Sequence, residues 1–374
     1  MNPNKDTKNT NTRIIGYDVA RALAVFGMVL VNFKVVMGAL DSGPIWLNWL
    51  AGLLDGRAAA IFVVLAGVGL SLLSHKGRVT GDRDRQRRDR NTLLKRALFL
   101  FVVGLAYIPI WPADILHFYG VYIAIAAFLL NASDRALWAG VVALTIGFVL
   151  LLSFFDYEAG WNWETLEYTG FWTAEGMVRH IFFNGFHPVF PWLAFLLIGL
   201  WLGRQDVGDA GTRRSILRIS LIVAVLSEAA SLVLTRLFSG ELGLLFDSKP
   251  IPPMPLYVVA GAATAIVVIL LCLEVTQRRP EANWLQPLVH TGQLALTLYV
   301  AHVLIGMGFL EAIGRLQNQS ITFAVTTSII FSTLGVVFAH LWRLRFRRGP
   351  LEWVMRKVTT SVKNKTRAPI FPSR

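Results

Sequence analysis

The segment Arg13–Met37, RIIGYDVARALAVFGMVLVNFKVVM, is apolar for long enough to cross a bilayer, yet it carries Asp18, Arg21, Asn32 and Lys34. A lipid-facing helix does not hold four such groups. One charge near the bilayer centre costs about 3 kcal/mol or more, so these residues belong at the interface or inside a helix bundle. Asp18 and Arg21 are three apart and share a helix face as an ion pair. Asn32 lies fourteen residues beyond Asp18, about four turns, and returns to that face near the other end. The expectation is a helix that points an ion pair and an amide inward and forms one wall of an active site.

The rest of the chain has the same character. Its 374 residues are 55% hydrophobic and 16% charged, where a soluble protein carries about a quarter charged residues. Several runs approach the ~20 apolar residues of a spanning helix, and the ~10-residue alternating segments of a spanning barrel are missing. The fold class read from this is all-α: a polytopic helical bundle. The first apolar run begins near Ile14 without a small-residue cleavage site, which reads as a retained helix rather than a signal peptide. The net charge of +13 sits in short loops between apolar runs, so it reads as the positive-inside signature and not as a nucleic-acid surface. The single Cys272 excludes an intramolecular disulfide and a cysteine metal cluster. No helix carries histidines at ligand spacing, so no metal site is expected.

In order, residues 1–13 read as a disordered polar lead. Ten spans are expected, at about 14–38, 57–75, 97–111, 115–131, 136–155, 188–203, 216–238, 255–275, 292–313 and 321–342. Gly67 and Gly69 would let the second pack closely. The Arg- and Lys-rich 76–96 loop places itself and both termini in the cytoplasm. Asp156, Glu158, Glu164, Glu167 and Glu175, against the lone Arg179, mark 156–187 as extracytoplasmic, with interfacial helical turns. Residues 14–342 form the membrane domain and 343–374 a basic cytoplasmic tail, of which Leu351–Met355 suits the membrane surface. No internal repeat is evident, which counts against a transporter.

At this point a family resemblance enters. RIIGYDVARALAVFGMVLVN resembles the amino-terminal signature of the transmembrane acyltransferase superfamily, nearest to heparan-alpha-glucosaminide N-acetyltransferase-like and bacterial YeiB/DUF418-like membrane proteins. IFVVLAGVGLSLL, ADILHFYGVYIAIAAFLL, HPVFPWLAFLLIGLWLGR and PLVHTGQLALTLYVAH agree with that group in order, covering about Arg13 to His302. The resemblance implies transfer of an acyl group from acetyl-CoA, as donor substrate, to a hydroxyl or amine of a glycan-like or envelope acceptor, in the inner membrane of a bacterium. Two positions depart from it. Related acyltransferase-3 proteins have a histidine fourteen residues after the motif aspartate, where this chain has Asn32. The eukaryotic heparan enzyme has its catalytic histidine eleven residues further on, where this chain has Gly43.

Acyl transfer needs a general base and donors for an oxyanion. His117, three residues after Asp114, is the first candidate base, oriented by that carboxylate; Asp114 could instead only cap the next helix. His187, at the start of the sixth span, is a second catalytic candidate or a loop-packing residue. Asn32 would steady the oxyanion or make an interhelical hydrogen bond. Arg21, paired with Asp18, would meet the donor's phosphates, with His302 also assigned to the donor; the plainer readings are a helix-locking pair and a satisfied core histidine. Asp55 and Arg57 read as an interface pair. Membrane lipids are expected partners and nucleic acid is not. A homodimer is compatible with the sequence, which does not fix the oligomeric state. The rival functions are an exporter of a small anionic or lipidic solute and a non-catalytic protein of the same fold. Binding of acyl-CoA separates the first reading from both.

Overall fold

The computed structural model describes residues 14–39, 42–238 and 240–359. The expected lead at 1–13 and the end of the tail lie outside them. The structure is helical apart from one two-stranded hairpin.

The first segment folds as α1 (Ile15–Val36). A short α2 (Ile45–Gly52) leads to α3 (Arg57–Thr80), and α4 (Arg83–Tyr107) follows after two residues. The basic 76–96 stretch is therefore mostly helix, not loop. Gly81, at φ +66, ends α3 in the left-handed conformation that glycine adopts without strain. Asp82 then caps α4 by accepting the Arg85 N–H at 2.9 Å. The charges prolong both helices past their apolar portions, and the helix at the expected third span starts well before 97.

Next come α5 (Leu116–Leu129) and α6 (Asp134–Phe154). The acidic, aromatic region forms β1 (Trp161–Asn162), β2 (Glu167–Tyr168), α7 (Ala174–Arg179) and a π-turn at His180–Asn184. After a 52° bend, α8 (Val189–Leu202) enters the bundle. α9 (Ala210–Leu237), α10 (Glu241–Leu244) and α11 (Pro255–Arg278) follow. The expected ninth span is interrupted: α12 (Leu285–Gln293), α13 (Ala295–Ala301), a π-turn at His302–Met307, and α14 (Gly308–Ala312). α15 (Ile321–Arg345) is long and regular, and α16 (Pro350–Thr359) packs against α4 and α13.

Among the described residues, seven helices are long and apolar enough to cross a membrane, and the bent α7–α8 pair makes an eighth candidate. α5 has only 14 residues, and α4 is highly charged in its first half. Burial separates interior from perimeter. About two thirds of the apolar window is buried in the α2–α3 and α11 spans, against 17% in α6 and α9. Exposed Val142, Ile146, Ile222 and Leu226 on those outer helices are the surface that lipid would cover.

α1 lies against α3, α11, α12 and α15. Small residues make this possible. A Cβ on Gly292 of α12 would sit 1.8 Å from the Asp18 carbonyl oxygen, so only glycine fits there. Gly67 meets α8 in the same way, 2.1 Å from the Leu196 carbonyl oxygen. Gly69, the other expected packing glycine, faces open space.

Candidate active site

The C-terminal half of α1 turns its polar residues inward. Asn32 and Lys34 line a cavity of about 320 Å³, together with Asp55, His187, Trp192 and Tyr299. Lys34 is buried, and its Nζ donates to both Asp55 oxygens, at 2.5 and 2.6 Å. This corrects the expected Asp55–Arg57 pair. Arg57 turns away to Glu228 and the Ser248 carbonyl, meeting only the backbone oxygen of Asp55, at 3.3 Å. Much of the cavity wall comes from the segments linking helices: Asp55 precedes α3, Phe186 and His187 precede α8, and Lys249 to Ile251 precede α11.

Behind the cavity runs a continuous polar chain. Asn32 Nδ2 lies 2.8 Å from His302 Nε2. The opposite ring nitrogen, Nδ1, donates to the Tyr299 carbonyl. That bond puts the proton on Nδ1 and leaves Nε2 as acceptor for the Asn32 amide. The Tyr299 hydroxyl in turn donates to Asp114 at 3.2 Å and accepts the Ile115 N–H at 3.2 Å. Asp114 also accepts the Leu116 N–H at 2.8 Å and lies 3.4 Å from His117 Nδ1. Asp114 sits in the link before α5, where burial pushes its carboxyl up to about 7, against the Leu116 N–H and the Tyr299 hydroxyl.

The structure thus brings together four of the expected site residues, Asn32, His302, Asp114 and His117, through Tyr299. His302 joins the amide end of α1 and not the donor group. The Asp18–Arg21 pair, bonded at 2.8 Å, lies fourteen residues back along α1, about 21 Å at 1.5 Å per residue. Asp18 is buried and Arg21 half-buried. Asn32 commits one N–H to His302, and its other N–H has no hydrogen-bond partner among the described residues.

His117 touches Asp114, as the i+3 spacing suggested, but it does not line the cavity. It is fully buried, its ring 3.9 Å from Phe118 and 5.6 Å from His180. His117 Nε2, His180 Nδ1 and His187 Nδ1 are buried without hydrogen-bond partners. The segment holding His180 and His187 is pinned by Asn184. Its amide donates to the Tyr157 and Ala159 carbonyls, at 2.9 and 2.8 Å, and accepts from Tyr168 at 2.8 Å. Tyr122 donates to the His187 carbonyl and Trp192 packs on its ring at 4.5 Å, so the imidazole is held at the cavity wall.

Sequence reasoning missed Lys34–Asp55 and Tyr299 as site residues. Lys34 gave a signal, a lysine in an apolar helix, which by default marks function. Tyr299 gave only its place one turn before His302.

The chain resembles known proteins along most of its length. The family described as "Heparan-alpha-glucosaminide N-acetyltransferase, catalytic" matches residues 13–234, and DUF418, "Protein of unknown function", matches residues 202–361. Protein YxaH of Bacillus subtilis (strain 168), described as uncharacterized, is 22% identical over 405 residues, covering 94% of this chain and 95% of its own length. The "Uncharacterized 39.9 kDa protein in amylase 3'region" of Bacillus acidopullulyticus is 23% identical over 371 residues, covering 93% and 94%. The two family matches together contain every residue of the cavity.

Proposed function

Because the chain belongs to the heparan-alpha-glucosaminide N-acetyltransferase catalytic family, we propose that it moves an acetyl group from acetyl-CoA to a hydroxyl or amine of a glycan-like or envelope acceptor. The setting is a bacterial inner membrane crossed ten times, with both termini in the cytoplasm. The donor then approaches from the Asp18–Arg21 end of α1, where Arg21 meets its phosphates, and the acceptor enters the cavity at the Asn32 end.

One observation supports this most: an amide donor, Asn32, and an imidazole, His187, line the same cavity. In this reading His187 accepts the proton of the acceptor hydroxyl or amine as that atom attacks the thioester carbonyl. The free Asn32 N–H steadies the oxyanion of the tetrahedral intermediate. When the carbon–sulfur bond breaks, CoA leaves as its thiol, taking the proton from His187. His117 takes a supporting part, since it does not line the cavity. The Asp114–Tyr299–His302 chain holds Asn32 in place.

The test is transfer of labelled acetyl from acetyl-CoA to membrane-derived acceptor by the purified protein. His187→Gln is expected to lower it at least a hundredfold, the usual size of a general-base contribution. Stabilisation of the protein by acetyl-CoA should persist in that variant and weaken in Arg21→Ala. Full transfer in His187→Gln would remove the assignment. A second reading, a solute exporter, is favoured by the two interrupted helices beside the cavity, α7–α8 and α12–α14, since broken helices mark transporter sites. Solute flux in proteoliposomes, with no stabilisation by any acyl-CoA, would select it.

A further inference from the structure

α15 ends at Arg345, and α16 begins at Pro350 after a four-residue turn. Between α15, the turn and α16 lies a cleft of about 490 Å³ lined by Trp342, Phe346, Arg347, Arg348, Trp353 and Val354. The cleft is preformed. Trp342 Nε1 donates to the Arg348 carbonyl at 2.8 Å, Arg343 donates to the Phe346 carbonyl at 3.0 Å, and the Trp342 and Phe346 rings stack at 4.3 Å.

Its charge is one-sided. Arg345, Arg347, Arg348, Arg356 and Lys357 are exposed, and none of the five has an ion-pair partner among the described residues. The single carboxylate of α16 is turned away from this face. Glu352 accepts the Leu296 and Thr297 N–H groups at 2.8 and 3.1 Å and the Thr297 hydroxyl at 2.6 Å. It closes the break between α12 and α13. Gly349 permits the tight turn, because a Cβ there would lie 2.1 Å from the Glu352 carboxylate. With the acid withdrawn, the remaining face joins guanidinium groups to Trp353, Val354 and Val358, which are exposed apolar residues at 51%, 37% and 65%. Such a face, at the end of a spanning helix, meets headgroups and upper acyl chains together.

We propose that this cleft binds an anionic phospholipid of the leaflet that α16 faces. The phosphate pairs with Arg347 and Arg348, and an acyl chain lies along Trp353 and Val354. Phosphate and guanidinium are geometrically matched for paired hydrogen bonds, and each basic residue close to an anionic leaflet adds a comparable increment of binding. A zwitterionic lipid offers the same phosphate but adds a cation that five unpaired positive groups repel. Glu352 then gives the site a mechanical link: it holds α16 on α13, the helix that carries Tyr299 and leads into His302.

The experiment is native mass spectrometry of the full chain released from nanodiscs of phosphatidylcholine, with or without phosphatidylglycerol. The wild type should retain phosphatidylglycerol over phosphatidylcholine. Arg347→Ala/Arg348→Ala should lower its apparent affinity about thirtyfold, and these exposed side chains can be removed without unfolding the chain. The double variant should melt as the wild type does in pure phosphatidylcholine, which separates lost binding from lost folding. Equal retention of both lipids, or equal retention by variant and wild type, overturns the proposal. So does displacement of the lipid by acetyl-CoA or by inorganic phosphate alone, which would make the cleft a site for a soluble phosphate. Loss of lipid preference leaves the acyltransferase reading as it stands, whereas displacement by acetyl-CoA would move its donor site from Arg21 to this cleft.

Discussion

Two of the sets of polar side chains buried in this bundle are treated differently by the structure. Asn32, His302, Tyr299 and Asp114 form a chain in which the Asn32 amide, both His302 nitrogens, the Tyr299 hydroxyl and both Asp114 oxygens have partners. His117, His180 and His187 form an aromatic cluster in which each imidazole leaves a buried nitrogen without one. A buried polar atom without a partner has lost its water for nothing in return, which singles out these three imidazoles, clustered beside the cavity, as candidates for work on a ligand or a proton. The Asp114–Tyr299–His302 chain is therefore read as the frame that holds Asn32, and the unpartnered imidazoles, with the Asn32 amide, as the part that works. The cavity touches both, through Asn32 and Tyr299 on one side and His187 on the other.

The largest effect expected from disturbing the frame comes from charge. Asp114 titrates near 7 in the folded protein because it is buried, whereas an unfolded aspartate titrates near ~3.9. Its folded value is raised, so its contribution to stability is fully present below ~3.9 and is lost as pH rises to about 7. Asp114→Asn removes that titration. Melting temperatures of the two proteins, compared from pH 4 to 8 in one detergent, should move apart in the variant's favour across that window and then run parallel. A pH-independent difference would mean that the carboxyl is not raised. The next effect is His302→Ala, which orphans the Asn32 amide and the Tyr299 carbonyl and opens a cavity, for a loss of about 3 kcal/mol. Reversible unfolding in mixed micelles measures it. A change below about 1 kcal/mol would show that the chain is not a frame.

How much of this was legible beforehand follows the same division. The spans were readable because length and hydropathy are local properties, and α1, α6, α11 and α15 lie close to where they were expected. The inward face of α1 was readable because its polar residues fall at helical spacing, and the Asp18–Arg21 bond follows from that spacing alone. The Asn32–His302 contact was not, because 270 residues separate the partners and pairing across a bundle is set by helix packing. Each residue was singled out, but for different roles. The interruption at Leu294 was also hidden. The backbone there has φ −107° and ψ 22°, and the break is capped by Glu352, some 55 residues away. The run from Gly292 to Ile313 reads as one apolar helix because nothing local announces a cap that arrives from another element. Lys34–Asp55 was missed for a simpler reason: Arg57 stood nearer in sequence, and nearness was mistaken for pairing.

The smallest effect on stability is expected at His117, and it is the sharpest test of the division. Phenylalanine fills nearly the same space, and the site already has the Phe118 and Phe171 rings around it at 3.9 and 6.2 Å. His117→Phe discards a nitrogen that has no partner and one that stands 3.4 Å from Asp114, a weak contact. Replacing a poorly satisfied polar group by an apolar one of similar shape is close to neutral, so the change in unfolding free energy should stay within about 1 kcal/mol. If the imidazoles work as a group, the same variant loses acetyl transfer while its melting temperature holds. A variant as unstable as His302→Ala would instead place His117 in the frame and leave His187 as the one imidazole that acts on the acceptor. Because His302→Ala also opens a cavity, His302→Phe completes the comparison: with a ring of similar size kept at both positions, the difference between the two phenylalanine variants isolates hydrogen-bond saturation from burial, which is the property that separates the two sets.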